Sequence, residues 1–113
     1  GITYGIGEVL RHKKFGYRAV VVGWDRRPQW DVSEWNGVQG LPSGTEQPFY
    51  RMLPDTHDCE AYLGGYREWF YVAQENLEPL PPHLRRLTHP RIEGSFAEFD
   101  PSRARFWPLE ELA

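Results

Sequence analysis

What this chain lacks narrows its chemistry first. Its 113 residues include one cysteine, Cys59, so no internal disulfide holds it together, and a reducing, intracellular setting is expected. No apolar run is long enough to span a membrane and no signal-peptide pattern is present, so no membrane partner is expected. Basic charge is not in excess: 13 Lys and Arg stand against 16 Asp and Glu, a formal net charge of −3. A protein held mainly by nucleic-acid phosphate usually carries the opposite balance. No phosphate-cradling glycine loop occurs, and Ser33, Ser43, Ser95 and Ser102 lie in no nucleophile motif. The four histidines are scattered; His57-x-Cys59, with Asp55 and Asp58 beside it, is one close ligand pair where a zinc site wants two. Asp25, Glu34 and Glu75 form no acid–base pair that the sequence can justify. No catalytic residue, metal or cofactor is assigned, and the chain reads as a binding module rather than an enzyme. It opens on Gly1 rather than Met and reads as a piece of a longer protein, so cytoplasm, nucleus and plastid all stay open.

What is present is turns and rings. Ten Pro and eleven Gly argue for short elements and against a helical bundle, and aromatics at 15% suit a small β-rich core. Strands are expected over Ile6–His12, Tyr17–Trp24, Gln47–Leu53 and Tyr66–Val72, with Lys13–Gly16 a turn. A polar loop fills Asp25–Glu46, a second loop Pro54–Gly65, and Ala73–Asn76 makes one helical turn before Leu77 re-enters the core. Strands at this spacing suggest a small barrel or sandwich. Residues 1–78 form that domain, and residues 79–113 an extension too short for a core of its own. In the extension, Pro82–Leu87 is expected as a short helix, Ile92, Phe96 and Phe99 have helical spacing, and Leu109–Leu112 is apolar enough to pack back. Within the long loop, Trp30 and Trp35 are either anchors folded onto the domain or exposed contacts, and the anchor reading is preferred because large rings rarely stay wet without reason.

A succession of short pieces carries a resemblance: Ile6-Gly7, Val9, Arg11-His12-Lys13, Phe15-Gly16-Tyr17-Arg18, Val20–Asp25, Leu41-Pro42-x-Gly44, Gln47-Pro48-Phe49-Tyr50 and Tyr71-Val72-Ala73-x-Glu75-Asn76-Leu77-Glu78. In this order they resemble the HspQ/YccV-like family, also called the hemimethylated-DNA-binding domain. The resemblance implies a mainly β fold, a small, strongly bent SH3-like β-barrel, here with a C-terminal extension of short helical turns. It also implies non-enzymatic work: binding of hemimethylated DNA in some members, adaptor roles for ATP-dependent proteases in others. In eukaryotes the domain ends an F-box protein and occurs in a chloroplast Clp-protease adaptor. Two departures stand out. Ala19 replaces a usual Gly, and Asp55–Glu68 is longer and more aromatic than the bacterial hairpin.

Two candidate surfaces follow. A protein-binding groove is expected from Trp24, Asp25, Trp35, Gln47, Pro48, Phe49 and Tyr50, since aromatic-lined grooves on small barrels take extended peptides. Its partner would be a protease, a ubiquitin-ligase subunit or a client. The alternative is DNA held by the basic turn, with Arg11, His12, Lys13, Lys14 and Arg18 on phosphate and Tyr17 for stacking. Net negative charge ranks the protein partner first. Oligomeric state is left open.

Overall fold

The computed structural model describes residues 1–109 and is mainly β. Five strands form one antiparallel sheet: β1 (Val9–His12), β2 (Arg18–Asp25), β3 (Phe49–Pro54), β4 (Phe70–Ala73) and β5 (Leu77–Pro79), in the order β4-β3-β2-β1-β5. The edge strands β4 and β5 follow each other through one 3-10 turn, Gln74–Asn76, so the sheet curls round its own core. Among the described residues no pairing joins β4 to β5, and the barrel is an open one. A hairpin, β6 (Phe96–Asp100) and β7 (Arg105–Pro108), forms a second, two-stranded sheet.

Side-chain alternation sorts the first sheet into two faces. Leu10, Tyr17, Ala19, Val21, Tyr50, Met52, Val72 and Leu77 point inward and make the central core. The outward residues fall into two groups, each under its own cover. Phe49, Tyr71 and Ala73 lie beneath Val32, Val38 and Leu41 of the loop between β2 and β3. Val9, Val20 and Leu53 lie beneath Leu80, Leu87, Phe96 and Phe106 of residues 80–108. A bulge between Val21 and Gly23 sets Val22 and Gly23 opposite Arg51. It leaves Trp24 packed with the inner core across from Tyr50, and Asp25 outside.

Gly7 fastens the second cover. Its φ of +94° is a left-handed conformation, and a Cβ there would collide with the Phe106 carbonyl. Its amide donates to Val21 O at 2.9 Å, and its carbonyl accepts from Phe106 N at 2.9 Å.

Several elements differ from the sequence expectation: β5 and the β6–β7 hairpin stand where no strand was expected, the helix expected over Pro82–Leu87 is a 3-10 turn, Pro82–Leu84, and two further differences are instructive. The loop expected over Pro54–Gly65 contains helix α1 (Thr56–Leu63). Asp55 caps it by accepting from Asp58 N at 2.9 Å, and Gly64 ends it at φ +78°. Only Cys59 of this helix is buried, so no apolar stripe announced it. The helical spacing of Ile92, Phe96 and Phe99 gives only one turn, α2 (Ile92–Ser95), before β6. An irregularity between Phe96 and Glu98 shifts the pleat, so Phe96 and Phe99 both face Phe106, at ring separations of 5.5 and 5.1 Å. A bulged strand thus mimics a helical interval. Of the apolar end expected over Leu109–Leu112, all but Leu109 lies outside the described residues.

Candidate functional site: an aromatic face around Tyr71

Tyr71 is the hub of the outer face. Trp69, immediately before β4, shares that face with Tyr71, while Phe70 turns inward against Tyr17. The loop brings Trp30 edge-on to Tyr71 at 4.8 Å and Trp35 edge-on at 6.4 Å; Trp69 stands 6.3 Å from both Tyr71 and Trp30. Phe49 packs beneath, 5.3 Å from Tyr71. The three indoles remain 50%, 44% and 43% exposed at Trp30, Trp35 and Trp69, whereas Tyr71 is buried among them. Indoles left this wet on one face are costly to keep unless a partner covers them.

The loop that presents two of these rings is held by polar ties. Tyr71 Oη donates to Asp25 Oδ2 at 2.6 Å and accepts from Gln29 N at 3.3 Å, and Gln29 Nε2 donates to Asp25 Oδ1 at 3.0 Å. Burial, together with the Asp25 bond, pushes the Tyr71 hydroxyl up to about 12, so it remains a donor at every physiological pH. Farther along, Glu75 accepts from Ser43 N at 3.0 Å, Ser43 Oγ at 2.9 Å and Gln47 Nε2 at 2.8 Å. The Ser43 amide, aided by the two side-chain donors, holds the Glu75 carboxyl below its ordinary range. Asn76 Nδ2 donates to the Gly37 carbonyl, and Lys14 Nζ reaches Asn36 O at 3.3 Å. The rings therefore stand on a braced platform rather than a loose tether.

Between the two covers, the outer face carries a groove of about 280 Å³. Its lining is Val22, Arg51, Leu53, Trp69, Arg91 and Ser95. The Arg51 guanidinium lies across Gly23, where any Cβ would strike it. Arg91 pairs with exposed Glu68 at 2.8 Å.

The structure does not bring the expected groove residues onto one exposed surface. Trp35 and Asp25 lie at the aromatic face, the first as a half-exposed ring and the second as a brace for Tyr71 and Gln29. Trp24 is half-buried toward the inner core, on the opposite side of its strand, with Arg26 over its ring at 5.6 Å. Phe49 and Tyr50 are both fully buried, because alternation sends one into the loop-covered face and the other into the core. Pro48 is buried as well, and Gln47 is buried with its amide spent on Gly44 O, Glu75 Oε1 and Glu75 N. The expectation that Trp30 and Trp35 fold away as anchors is corrected by their exposure: small Val32, Val38 and Leu41 do the anchoring. Trp69 belongs to this face without being among the residues expected from the sequence. Its signal was the i, i+2 relation to Tyr71.

The basic turn fares differently. His12 is 3% exposed and Nδ1 accepts from Lys14 N and Phe15 N, both at 3.1 Å. Burial, helped by Lys14, lowers its pKa to about 4, so it is a neutral structural acceptor. Tyr17 is buried, and burial drives its hydroxyl well above the ordinary value. Arg18 is committed: it donates to Asp58 Oδ2 at 2.9 Å, Asp55 Oδ2 at 3.2 Å, and Leu84 O and Arg86 O at 2.9 Å. Burial opposes charge on Arg18 and Asp58 alike, but their mutual bonds outweigh it, raising the first pKa and lowering the second. Asp55 and Asp58, once counted beside His57 and Cys59 as possible ligands, are thus structural. Lys13 and Lys14 are exposed and Arg11 half-buried, with Glu78 directly across from Arg11 in the sheet.

A family model described as "Hemimethylated DNA-binding protein YccV like" matches residues 2–103. The chain belongs to the YccV-like family. This YccV-like domain is also similar to F-box only protein 21 of Mus musculus, 36% identical over 101 residues, and to that of Homo sapiens, 35% identical over 101 residues. Each match covers 87% of this chain and 14% of the relative, so the domain corresponds to a small part of those proteins. The family is one of binding domains, in keeping with a site built of rings and braces.

Proposed function

We propose that this domain is a non-catalytic recognition module that docks a protein partner on Trp30, Trp35 and Trp69. In that reading it is the substrate-recognition or adaptor part of a ubiquitin-ligase or protease system inside the cell. The observation that carries it is the convergence of three half-exposed indoles around one buried tyrosine, two of them on a loop braced by Asp25, Glu75 and Asn76 and the third just before β4. Preorganised aromatic anchors of this kind dominate the energy of peptide and protein docking. Similarity to F-box only protein 21 supports the ligase version.

A photocrosslinking residue placed at Trp35 or Trp69 of the full-length protein in cells should trap discrete proteins, and one at Lys13 should trap none. Crosslinks confined to Lys13, or to nucleic acid, would overturn the reading. The family's description favours a second reading, DNA binding, for which Lys13 and Lys14 are the exposed cations. It demands a mobility shift on hemimethylated but not unmethylated duplex that fades steeply with salt and is lost on Lys13→Glu and Lys14→Glu. The burial of His12 and Tyr17 and the commitment of Arg18 leave that surface with few free donors.

A further inference from the structure

Arg51 stands out within this sheet. It is exposed at the middle of β3, on the outer face, directly across from Tyr71. Among the described residues it has no hydrogen-bonded or ionic partner, although the chain carries more acids than bases. The other outward residues of β3, Phe49 and Leu53, are covered by the loop and by residues 80–108 respectively. Arg51 is the outward side chain of that strand left in the gap. The bulge supplies a glycine, Gly23, where a side chain would displace its guanidinium.

The surroundings describe what would fit there. Trp69 forms one wall and leads into the ring cluster; Val22 and Leu53 form an apolar floor; Arg91 brings a second guanidinium, which among the described residues is engaged only by an exposed glutamate. An exposed ion pair is worth little and exchanges readily. A planar guanidinium takes a carboxylate through two parallel bonds, and an indole wall shields that pair from water.

We propose that this groove is the anion-reading end of the docking face and that its occupant is a partner-protein segment with a side-chain carboxylate beside an apolar or aromatic residue. The carboxylate sits on Arg51 and the neighbouring side chain on Trp69. This inference rests on the proposed aromatic docking face and adds the chemistry of the partner. A carboxylate is favoured over a nucleic-acid backbone because only two cations line the groove, while Asp25, Glu68 and the net charge of −3 repel a polyanion.

The test uses random peptides displayed on phage, selected in parallel against the domain and its Arg51→Gln variant. Arg51 makes no bond within the described residues, so R51Q should melt as the parent does. Peptides enriched on the parent should carry Asp or Glu at a fixed interval from a large apolar residue. For one such synthetic peptide, changing the acid to its amide should weaken binding to the parent about tenfold and leave binding to R51Q unchanged. An acid preference that persists in R51Q overturns the inference. Enriched peptides that need Trp35 and Trp69 but no acid overturn it too, while leaving the docking face intact. No enrichment by either protein removes both. Displacement of the peptide by duplex DNA at low salt, dependent on Arg51, reassigns the groove to nucleic acid.

Discussion

The two covers of the outer sheet face do different work. Residues 80–108 spread Leu80, Leu87, Phe96 and Phe106 over Val9, Val20 and Leu53, and none of the large rings between them is left exposed; even half-buried Phe99 has Arg86 over it at 4.4 Å. The β2–β3 loop buries Val32, Val38 and Leu41 on the sheet and leaves Trp30 and Trp35 half-exposed, with only an edge against Tyr71. Both covers combine apolar contact with hydrogen bonds, but the first buries its large rings, whereas the second buries small aliphatic side chains and leans on side-chain hydrogen bonds from Asp25, Glu75 and Asn76. Apolar contact is worth more per residue but needs the rings turned inward, whereas a polar brace holds shape with the rings turned outward. A docking surface needs the second arrangement.

The sharpest way to break this contrast is Phe106→Ala. It removes a ring buried against Phe96 and Phe99 and should cost about 3–5 kcal/mol in urea unfolding. A loss under about 1 kcal/mol would mean that the second cover is not structural.

Acid should loosen the other side first. The folded pKa of His12, about 4, lies below its ordinary 6.5, so the unfolded chain takes up the proton first. The stability its neutral form provides is complete above pH 6.5 and drains away as pH falls toward 4, by about 2–3 kcal/mol in all. Since Nδ1 holds the Lys14 and Phe15 amides and Lys14 reaches Asn36, amides at 13–16 and 35–38 should exchange faster in that window before those of β6 and β7 do. Uniform loosening would contradict a divided structure.

Next in size, Trp35→Ala or Trp69→Ala should weaken partner binding about 30-fold, roughly 2 kcal/mol, while shifting unfolding by less than about 1 kcal/mol. If instead unfolding shifts by several kcal/mol and binding does not change, the rings belong to the core's economy and not to a partner. Smallest is Tyr71→Phe. Deleting the hydroxyl that bridges Asp25 and Gln29 should cost about 1 kcal/mol and broaden the Trp30 indole NMR signal, leaving Trp107 unaffected.

Much of this was legible beforehand, for reasons particular residues make plain. The β-branched run Val20–Val22, the turn at Lys13–Gly16 and the single helical turn after Ala73 announce themselves locally, and the motif succession carried the family. The misread parts depend on what lies across the fold. Whether Phe49 and Tyr50 are wet cannot be read from alternation when both faces of β3 are covered. Helix α1 buries one side chain, so it rests on its caps rather than on a stripe. Trp69 drew no notice because its importance lies in Trp30 and Tyr71, distant along the chain or hidden by the pleat. Arg18 looked like a free cation until Asp55 and Asp58 came round to meet it.

The extra residue at Val22–Gly23 carries a consequence of its own. Removing Gly23 would leave Val22 alone opposite Arg51 and restore a regular pleat, with Trp24 still against Tyr50 and Asp25 still outside. The side chain of Val22 would then stand where the Arg51 guanidinium now lies across bare backbone. What the additional unit secures is therefore vacant space beneath one cation, not the sidedness of the strand that follows.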